Sequence, residues 1–259
     1  MISNIYKSFK DQLPSDVVSD INYTLKKTLE THGNINIFFR ADDIAVQSKN
    51  FHKMMSLFIT YQTPICLAVV PTWITKPRWE AMDRYIKKGE GLFCWHMHGY
   101  RHMNHEIQGK NQEFGPARQD QELFSDISNG ASRLKAIMGK HFTLIFTPPW
   151  NRCTIETMNI LKKIGFKGIS RSVGNLPLPP DGFLDFSVHV DLHTRKEKDS
   201  QEGWQKLINE LKVGLDSPAC GIMIHHMRMN DQAFIFLEYL LEVMNGYKNI
   251  KIITYNDLI

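Results

Sequence analysis

Asp42 and Asp43 stand side by side directly after the apolar run 36–41. Imidazoles end another run, with His96, His98 and His102 in sequence and the last two four residues apart. Further polar clusters stand at 147–151 (Thr-Pro-Pro-Trp-Asn), at His189, Asp191 and His193, and at His225 and His226. Carboxylates and imidazoles together do two kinds of chemistry: they exchange protons as general acids and bases, and they supply the O and N donors that hold a divalent ion. Taken singly, each has an ordinary explanation, since an Asp after a strand caps a helix and a lone histidine packs in a core. Seven of the 11 histidines in three clusters need partners for their ring nitrogens, and a shared metal-centred site supplies them.

These clusters share a position in the pattern of elements. Strand-type runs are expected at 36–41, 65–70, 92–98, 142–147, 168–172, 184–192, 221–226 and 250–254. Amphipathic helical stretches fall near 51–61, 76–88, 118–138, 154–164, 201–215 and 231–245. Such alternation makes parallel strands with crossover helices, as an open doubly wound sheet or a closed barrel. Both architectures gather catalytic groups at the C-terminal ends of strands, which is where the carboxylates and imidazoles fall. In the sixth run, strand parity puts Phe186, Val188, Val190 and Leu192 under the helices. It turns Ser187, His189, Asp191 and His193 toward the interior and its mouth. The same rule lets only one of His225 and His226 face inward. No linker divides the chain, which reads as an N-terminal helical extension over 1–34 and one (β/α) domain over 35–259.

Composition removes other classes. The 259 residues carry 31 Lys+Arg against 27 Asp+Glu, a formal charge of +4 spread along the chain, so there is no nucleic-acid footprint. No window reads as a signal peptide or a membrane span. The four cysteines form no CxxC pair, and three lie in or beside strand-like runs, as expected of reduced thiols in a cytosolic protein. Dinucleotide, P-loop, GxSxG and HExxH motifs are absent.

The order Asp42-Asp43, His98-Gly99-Tyr100-Arg101-His102, Thr147-Pro148-Pro149-Trp150-Asn151 and Ile222-Met223-Ile224-His225 resembles the polysaccharide deacetylase (NodB-homology, carbohydrate esterase) family. The resemblance implies a single distorted (β/α) barrel of about seven strands. It implies hydrolytic removal of an N- or O-linked acetyl group from a sugar or glycan precursor, with one divalent ion, zinc first. By the same resemblance Asp43, His98 and His102 hold the metal, Asp42 is the general base and His225 the general acid. Trp150, through its backbone N–H, Asp191, His189 and Arg40 then belong to the oxyanion and substrate positions, and Trp73 is a second candidate wall. Thr147 stands where many members have an arginine on the base, and Arg40 or Arg152 are the substitutes in reach. Glu113-Phe114 with Arg118 falls in the loop after the histidine pair, as a cover over the site or as solvated chain.

Two alternatives remain. His96-Met97-His98 matches the HxH start of amidohydrolase barrels, although two strands precede it here, and in that reading His96 replaces His102 on the metal. A non-catalytic glycan-binding relative is the other, prompted by Thr147.

Overall fold

The computed structural model describes residues 2–259. A 3-10 turn, Asn4–Lys7, and helix α1, Ser15–His32, precede the first strand. The chain then alternates: β1 Ile35–Ile44, α2 Lys49–Thr60, β2 Ile65–Val69, α3 Lys76–Ala81, α4 Asp83–Lys88, β3 Phe93–His98, α5 Asp120–Met138 and β4 Phe142–Thr147. It continues with α6 Ile155–Ile164, β5 Gly168–Ser172, β6 Leu184–Asp191, α7 Ser200–Leu215, β7 Cys220–Ile224, α8 Asp231–Gly246 and β8 Ile250–Ile252. Every expected strand forms. The helical stretch expected at 76–88 is broken at Met82, where the amides of Met82 and Tyr85 bond to carbonyls three residues back and tighten the turn. Ser48, Thr154, Asp199 and Asn230 each accept a backbone N–H at a helix start, so α2, α6, α7 and α8 begin where a capping side chain stands.

All strand pairings are parallel. Strands β1 to β7 pair in order and β7 returns to β1, which closes a seven-stranded barrel. β8 pairs only with the base of β1, Ile35–Ile37, while the upper part of β1 pairs with β2. The chain after β8 crosses beneath the barrel. Tyr255 is fully buried there, donates to Ser170 Oγ at 2.8 Å and packs its ring on Phe38 and Phe186.

Inward and outward faces follow strand parity. On β1, Phe38, Arg40 and Asp42 climb the interior, while Ile37, Phe39 and Ala41 join the core beneath the helices. Gly221 of β7 leaves room for Phe38, since a Cβ there would lie 2.5 Å from its ring. β6 departs from the expected faces. Phe186 and Val188 lie in the interior cluster with Phe38 and Tyr255, whereas Val190 and Leu192 join the outer core. The cause is a register shift between Val188 and Val190, which makes His189 an extra residue and reverses the parity above it.

The N-terminal segment packs on this barrel. Val17, Ile21 and Leu25 of α1 belong to the same core, and the Tyr6 hydroxyl donates to the Leu192 carbonyl at 2.9 Å.

Candidate active site

The strands open at their C-terminal ends into a cavity of about 650 Å³. Asp42, Asp43, His98, His102, Trp150, Asp191 and His225 all line it. Adjacent residues of a regular strand face opposite sides, so Asp42 and Asp43 share one cavity only through a break in β1. Asp43 supplies that break: its φ is 62°, and the pairing with β2 shifts register between Ala41 and Ile44. His102 at φ 57°, Trp150 at 55° and Asn151 at 60° also take the left-handed conformation. Four of the five non-glycine residues in that region among the described residues therefore surround this cavity, the distribution expected of strain held at a functional site.

Asp43, His98 and His102 form a compact donor set, with one ligand atom from each within 4.8 Å of the others. Asp43 Oδ1 lies 3.3 Å from Nε2 of both His98 and His102. That oxygen is buried and has no hydrogen-bond partner in the protein. A buried carboxylate oxygen facing two imidazole nitrogens fits a divalent cation. His98 Nδ1 bonds the Thr147 carbonyl at 2.9 Å, which fixes the ring with Nε2 toward Asp43. Burial opposes ionisation of Asp43, but His98, His102 and His225 outweigh it and hold the carboxyl well below the usual range. His102 is flanked by Trp150 and Trp73, with ring centroids at 4.6 and 5.6 Å.

Glu113 holds the loop that carries His102. Its carboxylate is fully buried and accepts three backbone N–H groups: Arg101 at 2.6 Å, His102 at 3.1 Å and Tyr100 at 3.2 Å. Gly99 starts this loop at φ 56°, and a Cβ there would run into the Glu113 carboxylate and the Pro149 ring. Glu113 is thus neither solvated nor a cover. The sequence offers no signal for this role, because its partners are backbone amides that the fold brings to it.

Asp42 sits over Arg40, which is buried and donates to both its oxygens at 2.8 Å. The remaining guanidinium N–H groups reach the Ser170 carbonyl and hydroxyl and Asn151 Oδ1. Burial pushes the Asp42 pKa up, but Arg40, then His98 and His225, overcome it, and the net direction is down. Asp42 is therefore ionised at neutral pH. His225 Nε2 lies 4.0 Å from Asp42 Oδ2. His226, by contrast, is buried behind it against Phe51.

Three sequence expectations need correction. Arg40 does not line the cavity; it lies beneath Asp42 and is the one of the two expected substitutes, Arg40 and Arg152, that is set on this carboxylate. His189 points away, between β6 and α7, with Nδ1 accepting the Gly221 amide, because the extra residue in β6 turns it outward. His193 is buried, and its Nδ1 accepts the amide of His225, so only Asp191 of that trio reaches the cavity. Asp191 spends both oxygens on its own turn, accepting from the amides of His193 and Thr194 and from the Thr194 hydroxyl. His96 is enclosed in the barrel, 2.9 Å from Thr147 Oγ1, and burial pushes it down to about 3. It takes no part in the Asp43, His98 and His102 set, which counts against the HxH alternative.

The architecture has solved counterparts. The carbohydrate esterase family 4 domain of a multidomain xylanase from the hindgut metagenome of Trinervitermes trinervoides superposes with a TM-score of 0.57 at 12% identity, over 87% of this chain and 89% of that one. A family 4 acetyl xylan esterase from Clostridium thermocellum, in complex with a cobalt ion, gives 0.58 at 10% identity over 86% and 89%. A family 4 esterase from Streptococcus mutans gives 0.58 at 10% over 93% and 90%. At such identities the likeness shows the shared fold. No family profile matches the chain, and no curated protein matches it.

Proposed function

We propose that the protein is a metal-dependent carbohydrate deacetylase of the polysaccharide deacetylase family, removing an N- or O-linked acetyl group from a sugar or glycan precursor. The observation that carries this is the meeting of Asp42, Asp43, His98, His102 and His225 at one barrel mouth. The fold is that of family 4 esterases, and the donor set fits a divalent ion. Asp43, His98 and His102 would hold the ion, and one carboxylate with two imidazoles suits zinc. When bound, the ion supplies Lewis-acid polarisation of the acetyl carbonyl and acidifies water.

The protein's own groups do the rest. Asp42, kept ionised by Arg40, accepts the proton of the attacking water. The group assigned to the tetrahedral oxyanion is the backbone N–H of Trp150, the first donor after two prolines that have none. His225 then protonates the leaving nitrogen or oxygen, and acetate departs. Trp150, which lines the cavity, walls the sugar, and Trp73 packs on His102. Among the described residues no helix is long and apolar enough to cross a membrane. The four cysteines are all buried.

The test is acetate release from a panel of acetylated sugars together with metal content. Asp42→Asn is expected to keep about one ion per chain and lose turnover, and His98→Ala to lose both. Full activity in either variant overturns the assignment.

A further inference from the structure

Four cations that no carboxylate neutralises ring the same cavity. Lys110 comes from the loop after β3, Arg152 from that after β4, Lys196 from that after β6 and Arg228 from that after β7. Among the described residues, none of the four has a carboxylate oxygen within 4.0 Å. Basic residues nearby behave differently: Arg118 pairs with Asp126 at 2.8 Å and Arg195 with Glu210 at 2.7 Å. The acidic groups of the cavity are already committed. Asp42 is matched by Arg40, Asp43 belongs to the metal set, and Asp191 is bonded into its own turn.

A metal ion added to this cavity raises its positive charge further. Four separate loops each delivering one unpaired cation to a single mouth make a field suited to an anion. We propose that the acetylated sugar this site takes carries an anionic group, a phosphate or a carboxylate, which the rim of Lys110, Arg152, Lys196 and Arg228 receives while the acetyl group enters beside Asp42. This rests on the deacetylase reading for where the acetyl group goes, but the charge preference is measurable without turnover.

The metal-loaded protein is titrated with N-acetylglucosamine, N-acetylglucosamine 1-phosphate and N-acetylmuramic acid, following the fluorescence of Trp73 and Trp150 beside the site. At least one charged sugar is expected to bind about tenfold tighter than the neutral one, the size of two partly exposed ion pairs. Raised salt reduces the gap by screening. A gain with the 1-phosphate assigns a phosphoryl group, and a gain with the muramic acid assigns a carboxylate. In the double variant Lys196→Ala, Arg228→Ala the ratio of charged to neutral affinity falls toward one. Equal affinity for all three sugars overturns the proposal, and so does a preference that survives in the variant, which would place the anion on the metal. Acetate release is scored separately: a charge preference with no acetate from any sugar refutes the deacetylase reading alone, and acetate release without a preference refutes the anion site alone.

Discussion

Replacing Glu113 by Gln tests whether this buried carboxylate holds the metal-ligand loop in place. Its two oxygens accept three amides at 2.6, 3.1 and 3.2 Å. The best orientation of a glutamine keeps its one oxygen on the amides of Tyr100 and His102 and turns its NH2 against the amide of Arg101. One buried N–H is then orphaned, at about 1–3 kcal/mol. The two surviving bonds lose their charge assistance, at about 1 kcal/mol each. Burial pushes Glu113 up despite these amides, so removing its charge recovers part of the loss. A net destabilisation of about 2–3 kcal/mol follows. The local effect is more specific, because the orphaned amide is that of Arg101, next to His102, whose bond loses charge assistance while its backbone sits at φ 57°. Metal affinity is expected to fall about 10- to 100-fold, the usual size for losing a group that orients a ligand. Competition against a chromogenic chelator measures the affinity, and urea unfolding measures the stability. Glu113→Ala, which orphans all three amides, is expected to be worse on both counts. Metal affinity in the Gln variant within about twofold of wild type, with stability inside the ordinary surface range of about 0.5 kcal/mol, would refute the reasoning.

Three further outcomes follow from neighbouring contacts. Arg40→Met leaves burial of Asp42 opposed only by the histidines, so its pKa rises and the acid limb of kcat/KM moves to higher pH; an unmoved limb refutes the pairing as the source of its ionisation. His226 is pushed down to about 4, first by burial, so the unfolded chain, with a pKa of about 6.5, takes up the proton first. Its contribution is complete above about pH 6.5 and is lost as pH falls toward 4, by about 3 kcal/mol, so His226→Phe is expected to flatten the pH dependence of urea midpoints over that window. Gly99→Ala forces a Cβ to 2.5 Å from Pro149 Cγ at a left-handed φ, and a melting temperature within experimental error of wild type would show that the loop has slack.

The strands were legible because each apolar run is short, bounded by polar residues and followed by a helical stretch, whereas this pattern alone fits an open sheet as well as the closed barrel, which the family resemblance implied. The donor set was legible for a related reason: Asp43 and His98 stand at the C-terminal ends of β1 and β3, His102 follows in the next loop, and β3 repeats inward residues at Cys94, His96 and His98. Parity misled in β6, where Phe186, Val188, Val190 and Leu192 continue an unbroken alternation through the bulge. An extra residue leaves no mark on such a pattern, so parity alone puts Phe186 and Val188 on the wrong face and turns His189 inward. Glu113 is obscured differently: it acts on the backbone amides of Tyr100, Arg101 and His102 within its own loop, and no side-chain pattern marks such partners. Arg40 is legible as a partner for the base, but its bond to Ser170, 130 residues away, depends on closure of the barrel.

The +4 charge of the whole chain carries little information, yet its placement does. Arg40, Arg171 and Arg195 are each set against a carboxylate, and the lysines and arginines left without one at the mouth come from loops far apart in sequence. Summation along the chain hides this, because 31 cations and 27 acids cancel on paper wherever they lie. Folding separates them: Asp42 is neutralised from below by Arg40, Asp43 is directed at the metal position, Asp191 is bonded into its own turn, and the four cations of the rim outnumber what is left. The same closure that turns two adjacent aspartates into one site, at the expense of a left-handed Asp43, thus also decides the charge of what approaches it.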